Sequence, residues 1–220
     1  MAPKLYGDSR SPCVRAVLLA AEAMKIKLEY VAIDVVKKEH LTDEYLKLNS
    51  RHTVPTLEDD GFVMWDSHAI MMYLGEKYGN DNPVYPKDIK KRALINQKLL
   101  FDAGDLFSFS RYIAGFFLYK RQPNFPQDLA EALNKAYGFL ETFLTESKYV
   151  AGDEMTIADF SLWTSTSNSN SFVPIDAAKY PKVTAWSKKM GELPYSHLNF
   201  EGYQEFKKLL EILKAQLKAQ

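Results

Sequence analysis

Ser11 stands directly before Pro12, and this pair could do chemistry. Serine at a helix cap followed by proline at the first helical position starts a helix. The hydroxyl then sits at the partly positive end of the helix. One reading is a plain cap. The other is a donor to a bound thiol, which favours thiolate over thiol and lowers the thiol pKa. A free cysteine thiol titrates near pH ~8.5, so a fall of about two gives mostly thiolate at neutral pH. The residues alone leave the two readings level. Ser9 is a second hydroxyl, further from the helix start. Cys13 falls in the first turn, where thiols are often activated, but a free cysteine there more often packs as a small apolar residue.

A second set of groups lies between Asn49 and Ile70. His52-Thr53-Val54-Pro55-Thr56-Leu57 reads as a short strand with proline inside it. Proline cannot donate to a ladder, so the strand is an edge or bends there, and backbone groups around Val54 stay free. Asp60-Gly61 supplies the positive φ of a hairpin turn into Phe62–Trp65. Asp66-Ser67 then opens a helix with capping side chains. A free strand edge beside a helix N-terminus suits an extended peptide ending in carboxylates. Asp66 would pair with an ammonium, while Ser67 and helix N–H groups take an α-carboxylate. His40 and His52 read as surface histidines or as donors to a second carboxylate. The histidines 40, 52, 68 and 197 have no metal-site spacing, and no metal is expected. Arg111 lies in an aromatic stripe with Phe107, Tyr112, Phe116, Phe117 and Tyr119. Such a stripe is usually core, yet an arginine within it can line a cleft at a domain junction.

The elements that must carry these groups divide into two halves. Lys4–Tyr6 reads as a strand, and Val14, Val17, Leu18 and Ala21 make one apolar helix face. Leu28–Ile33 is a second strand and Leu41–Leu48 a short helix. The hairpin Thr53–Leu57 and Phe62–Trp65 follows, then a helix over Ser67–Tyr78. The order βαβαββα fits a thioredoxin-like domain over residues 1–80. Residues 81–89 are breaker-rich and read as a linker. Residues 90–220 read as all-helical, giving an α+β protein with a helical-bundle second domain. The expected helices are Lys90–Lys120, kinked near Gly104 or Gly115, then Pro126–Ser147, Thr156 to about Ser167, Pro181–Leu193, and Tyr195 to the C-terminus. The tract Thr164–Ser171 reads as a helix end and turn, because Ser and Asn compete with helix hydrogen bonds. Thr156-Ile157-Ala158-Asp159 is a capping box. Tyr203, Phe206, Leu209, Leu210 and Leu213 form an amphipathic face for packing on the bundle.

Composition removes other classes. Lys plus Arg and Asp plus Glu both number 28, so nothing calls for nucleic acid. No apolar run approaches the roughly 20 residues of a membrane helix, and the N-terminus has no signal-peptide pattern. The single cysteine excludes an internal disulfide and points to a reducing, cytoplasmic setting.

Ser-Pro at the first helix, His-Thr-Val-Pro-Thr-Leu, Asp-Ser-His-Ala-Ile and Met-Thr-Ile-Ala-Asp-Phe stand in register across both halves. Together they resemble the cytosolic glutathione transferases. Ser11 to Val17 is similar to the insect serine-type enzymes, and His68 with His40 upstream is closer to the epsilon than the delta class. The resemblance implies glutathione as co-substrate, a hydrophobic electrophile site at the domain junction, and a homodimer. It implies that Ser11 activates the glutathione thiol. It gives His40, His52, Thr53, Val54, cis Pro55, Asp66, Ser67, His68 and Arg111 to glutathione. It gives Val35, Phe107, Ser110, Arg111, Phe116, Tyr119 and Phe206 to the hydrophobic wall. The implied activity is conjugation of electrophiles in detoxification, with dehydrochlorination of insecticides as a variant. A hydrophobic-ligand or steroid carrier, an isomerase and a thioltransferase share the same fold. Cys13 stands where relatives often have proline, and Ser110 and Ala114 are small for the wall.

Overall fold

The computed structural model describes residues 2–218. Its first part holds a four-stranded sheet in the order β2-β1-β3-β4. β1 (Lys4–Gly7) pairs in parallel with β2 (Glu29–Ala32) and antiparallel with β3 (Thr56–Asp59). β4 (Phe62–Trp65) closes the edge antiparallel to β3. The parallel pair is joined through α1 (Pro12–Ala23), whose expected apolar face is buried at Val14, Val17 and Ala21 and partly buried at Leu18. A 3-10 turn (Glu39–Leu41) leads into α2 (Asp43–Leu48), and α3 (Ser67–Tyr78) follows the hairpin. Asp60 and Gly61 carry the expected positive φ, 52° and 81°. The thioredoxin-like order is therefore present.

β3 starts later than expected, at Thr56 instead of Thr53. The reason is local. The Thr53 carbonyl accepts from the Tyr45 hydroxyl at 2.7 Å, the Asn49 amide at 3.0 Å and the Thr56 hydroxyl at 3.2 Å. The Val54–Pro55 bond that follows is cis. This knot holds Thr53–Pro55 outside the ladder.

The second part is helical: α4 (Ile89–Phe101), α5 (Phe107–Leu118), α6 (Gln127–Glu146), α7 (Ile157–Asn170), α8 (Pro181–Gly191) and α9 (His197–Lys218). The expected long helix after residue 90 is interrupted by one π-helical turn, Asp102–Leu106, which contains Gly104. A π-turn is a common device at functional sites. Gly115 causes no break. The last two residues of the expected C-terminal helix lie outside the described residues.

α7 corrects the reading of the serine- and asparagine-rich tract. The helix continues to Asn170, and Thr164, Ser165, Thr166, Asn168 and Ser169 are all buried. Tertiary partners hold two of these side chains, Ser165 donating to Asp102 and Asn168 accepting from Arg15, while the Thr164 and Ser169 hydroxyls donate to carbonyls one turn back in α7 itself. Helix propensity is a weak prior against such contacts. The predicted capping box forms, and Asp159 is fully buried. The segment between α3 and α4 is itself packed, with Val84 and Tyr85 buried and the Val84 carbonyl accepting from the Ile157 N–H at 2.9 Å. One continuous apolar core runs from Leu5 and Ile70 of the sheet-bearing part to Trp163 and Leu210 of the bundle. Among the described residues, no helix is long and apolar enough to cross a membrane.

Candidate active site

Ser11 is the N-cap of α1, with extended backbone (φ −75°, ψ 126°), and its side chain makes no capping hydrogen bond. Its N–H donates to the Asp8 carbonyl at 2.9 Å. Pro12 fills the first helical position, so α1 needs less from a cap. The hydroxyl is thereby left for another partner. Cys13, in the first turn of α1, lies near the hydroxyls of Ser67 and Ser11. Burial pushes the Cys13 thiol up to about 12, although both hydroxyls act in the opposite direction. It stays a neutral thiol at neutral pH, as the packing reading expects.

The start of α3 is the second component. Asp66 holds φ at 78°, a left-handed conformation that a non-glycine residue adopts at a cost and that clusters at functional sites. Its Oδ1 accepts from the His68 N–H at 3.0 Å and the Ala69 N–H at 3.3 Å. A hydrogen bond from the His68 side chain and these N–H groups hold its carboxyl below the usual range, so it is an anion at neutral pH. The side chain is 47% exposed, which leaves a face of the carboxylate open to solvent. Ser67 beside it is buried. Val54 stands ahead of β3 with no backbone partner among the described residues.

The third component is a pair of histidines. His40 on the 3-10 turn is buried, and its Nδ1 has no hydrogen-bond partner among the described residues. His52 is exposed, and the two rings lie 6.4 Å apart. Burial, and then His52, lower the His40 pKa, which keeps its ring neutral. The three components together give a hydroxyl at one helix start, a carboxylate and hydroxyl at another, a backbone segment outside the ladder, and two imidazoles.

Comparison with known proteins decides what this assembly belongs to. A family model described as the glutathione S-transferase N-terminal domain matches residues 5–83, and one for the C-terminal domain matches residues 109–195. Glutathione S-transferase 1 of Manduca sexta is 43% identical over 195 residues, 88% of this chain and 89% of that protein. An epsilon-class glutathione S-transferase from the housefly Musca domestica superposes with a TM-score of 0.92 at 45% identity, covering 96% of this chain and 98% of that one. A glutathione transferase homolog from Drosophila mojavensis, solved with bound glutathione, gives 0.92 at 44% identity over 96% of both chains.

The chain belongs to the glutathione S-transferase family.

In this transferase His68 is placed differently from a free ligand donor. Its ring is buried between Asp66 Oδ1 and Asp102 Oδ2, at 3.1 Å from each. Burial opposes its charge, but the hydrogen bonds with Asp102 and Asp66 outweigh that and raise its pKa to about 9. The imidazolium therefore joins the sheet-bearing part to the bundle at neutral pH. Asp102 lies in the π-turn, is buried, and also accepts from the Ser161 and Ser165 hydroxyls of α7. Sequence reading missed Asp102. The available signal was its place on an otherwise apolar helical stripe with Ile95, Leu99 and Leu106.

The residues expected to form the hydrophobic wall are spread over burial classes. Phe107, Phe116 and Val35 are partly buried, Arg111 is exposed, and Tyr119 at the far end of α5 is 71% exposed. Ser110 is 3% exposed. Phe206 is 6% exposed and packs edge-on against Phe172 at 5.8 Å. Val35 is fixed where α1's loop meets the 3-10 turn, its N–H donating to Asp8 at 3.1 Å. Asp8 and Asp34 both engage Arg10, at 2.6 and 2.7 Å, and clamp the loop before Ser11. These two carboxylates and Arg15 are further site-shaping groups that sequence reading did not single out.

Proposed function

We propose that this transferase conjugates reduced glutathione to hydrophobic electrophiles, with Ser11 holding the glutathione sulfur as thiolate. The observation that carries the reading is the Ser11 hydroxyl. It stands at the N-terminus of α1 and takes no part in capping it. A donated hydrogen bond and the helix dipole both favour thiolate. In the proposed step the thiolate sulfur bonds the electrophilic carbon and the leaving group departs with its electron pair. Binding in one cleft supplies proximity.

The glutathione contacts we assign follow from the chemistry of each group. Asp66, an exposed anion, pairs with the γ-glutamyl ammonium, and Ser67 with the α3 N-terminus takes its carboxylate. Val54 pairs its backbone with the cysteinyl part beside Thr53 and cis Pro55. His40 and His52 face the glycyl carboxylate. We assign His68 an indirect role, orienting Asp66 from behind. Arg111 borders both subsites. Val35, Phe107, Phe116 and Tyr119 form the electrophile wall, backed by Ser110 and Phe206. Dehydrochlorination uses the same thiolate as base and is included in the proposed repertoire. Chloride release without consumption of glutathione identifies it. The proposed compartment is the cytosol.

A homodimer is part of the reading. Leu94, Leu100 and Phe139 of the bundle and Phe62, Val63 and Trp65 on the edge strand are exposed apolar groups of the kind an isologous interface covers. Sedimentation as a monomer at micromolar concentration would remove it. The activity is tested by conjugation of a chlorodinitrobenzene by the wild type and Ser11→Ala. The proposal expects a loss of about a hundredfold or more in kcat. Equal turnover contradicts it.

A further inference from the structure

The guanidinium of Arg15 is fully buried under the first turn of α1. Its Nη1 donates to the carbonyls of Ser9 at 3.1 Å and Arg10 at 2.8 Å, the two residues before Ser11. Its Nε donates to Asn199 Oδ1 on α9 at 2.9 Å, and its Nη2 donates to Asn168 Oδ1 on α7. Its own backbone N–H donates to the Ser11 carbonyl at 3.2 Å. α9 lies hard against the same loop. A Cβ on Gly202 would meet the Ser9 carbonyl oxygen at 2.1 Å, so only glycine fits there.

Every acceptor of this cation is neutral. Among the described residues no carboxylate lies within ion-pair distance of it. Burial lowers the guanidinium to about 9, which still leaves it charged at neutral pH. A mere tether would be better served by an aspartate at 168 or 199, because an unpaired buried charge is costly. The titratable groups facing Arg15 are Cys13 on α1, Tyr203 on α9 and Asp8 after β1. Asp8 is already engaged by Arg10 through both oxygens, at 2.8 and 2.6 Å. No carboxylate therefore pairs directly with the positive charge beneath the end of α1 where an anion is to form, and Asp8 attracts it only from a distance.

We infer that Arg15 is a positioning residue for catalysis: it fixes the Ser9–Ser11 turn through two carbonyls, and its unneutralised charge stabilises a thiolate at the α1 N-terminus. This rests on the reading that glutathione sulfur binds beside Ser11. Sequence position alone gives no sign of it, since Asn168 and Asn199 are 153 and 184 residues away.

The test is Asn199→Asp, with Asn168→Asp as a second variant should the first not fold. Each keeps the accepting oxygen and supplies the missing counter-charge. Thiolate absorbance of bound glutathione is titrated in the wild type, in both variants and in Ser11→Ala. The inference expects either aspartate to raise the bound-thiol pKa by about 1. It also expects kcat/KM at lower pH to fall about tenfold, with glutathione KM within about twofold. A purely structural Arg15 changes thermal stability and leaves the thiol pKa where it was, which overturns the inference. A raised pKa in Asn199→Asp but not in Ser11→Ala upholds Arg15 and removes the serine reading. The reverse result removes Arg15 and keeps the serine. Absence of any glutathione binding overturns both.

Discussion

At the scale of single residues, this transferase concentrates its polar chemistry on backbone that is already constrained. Asp66 is the clearest example, with φ at 78° and two N–H donors holding one carboxylate oxygen. Its cap role and its proposed ammonium role use different faces of the same group. Asp66→Asn keeps the cap, because an amide oxygen also accepts from N–H groups. The expected result is a weaker glutathione affinity by about tenfold with stability changed by under about 1 kcal/mol. Isothermal titration against thermal melting separates the two, and unchanged affinity places the ammonium elsewhere. The helix starts at Ser11 and Asp66 were legible in the sequence because cap positions carry a local signal. His68 stood out in the sequence, but its bridge between Asp66 and Asp102 did not. Its partner Asp102 lies 34 residues away, and only tertiary structure joins them.

At the scale of elements, α7 organises the molecule. Its N-terminal Asp159 is fully buried and accepts from the Val150 N–H, the Thr156 N–H and the Trp186 indole N–H, at 3.0, 2.8 and 3.0 Å. One carboxylate thus ties the helix to α8 and to the turn before it. From the sequence an Asp159→Ala change costs roughly 1 kcal/mol or more, as caps do. The three buried donors left unpaired raise that to about 4 kcal/mol. Chemical denaturation of Asp159→Ala checks this, and a loss near 1 kcal/mol would mean water or relaxation satisfies the donors. The helix order was readable from apolar periodicity. The extent of α7 was not, because serine and asparagine locally favour turns and their buried partners sit on α1, α9 and the π-turn. The delayed start of β3 has the same origin, a carbonyl at Thr53 held by side chains of α2 and Asn49.

At the scale of the whole molecule, the sheet-bearing part and the bundle meet through a charged strut, Asp66–His68–Asp102. The ordinary histidine pKa is about 6.5, and that of His68 in the folded protein is about 9. The folded state therefore binds the proton more tightly, and its stabilising contribution is fully present below about pH 6.5. It is lost as pH rises through about 9. The wild type should lose stability over that window, while His68→Ala should be flatter there. At neutral pH the variant should be less stable by about 3 kcal/mol, since it leaves Asp102 buried without its cation. Denaturant midpoints against pH read both effects, and parallel curves would contradict the strut. The two-part architecture was readable from the change in periodicity near residue 80. The strut was not, because it depends on where the π-turn points a single aspartate. The central claim is that both parts converge on a serine-held thiolate. The most direct measurement is the pKa of glutathione bound to the wild type and to Ser11→Ala, followed by thiolate absorbance. The account predicts a depressed pKa in the wild type that rises towards the free value in the variant. Equal pKa values in the two proteins would contradict it.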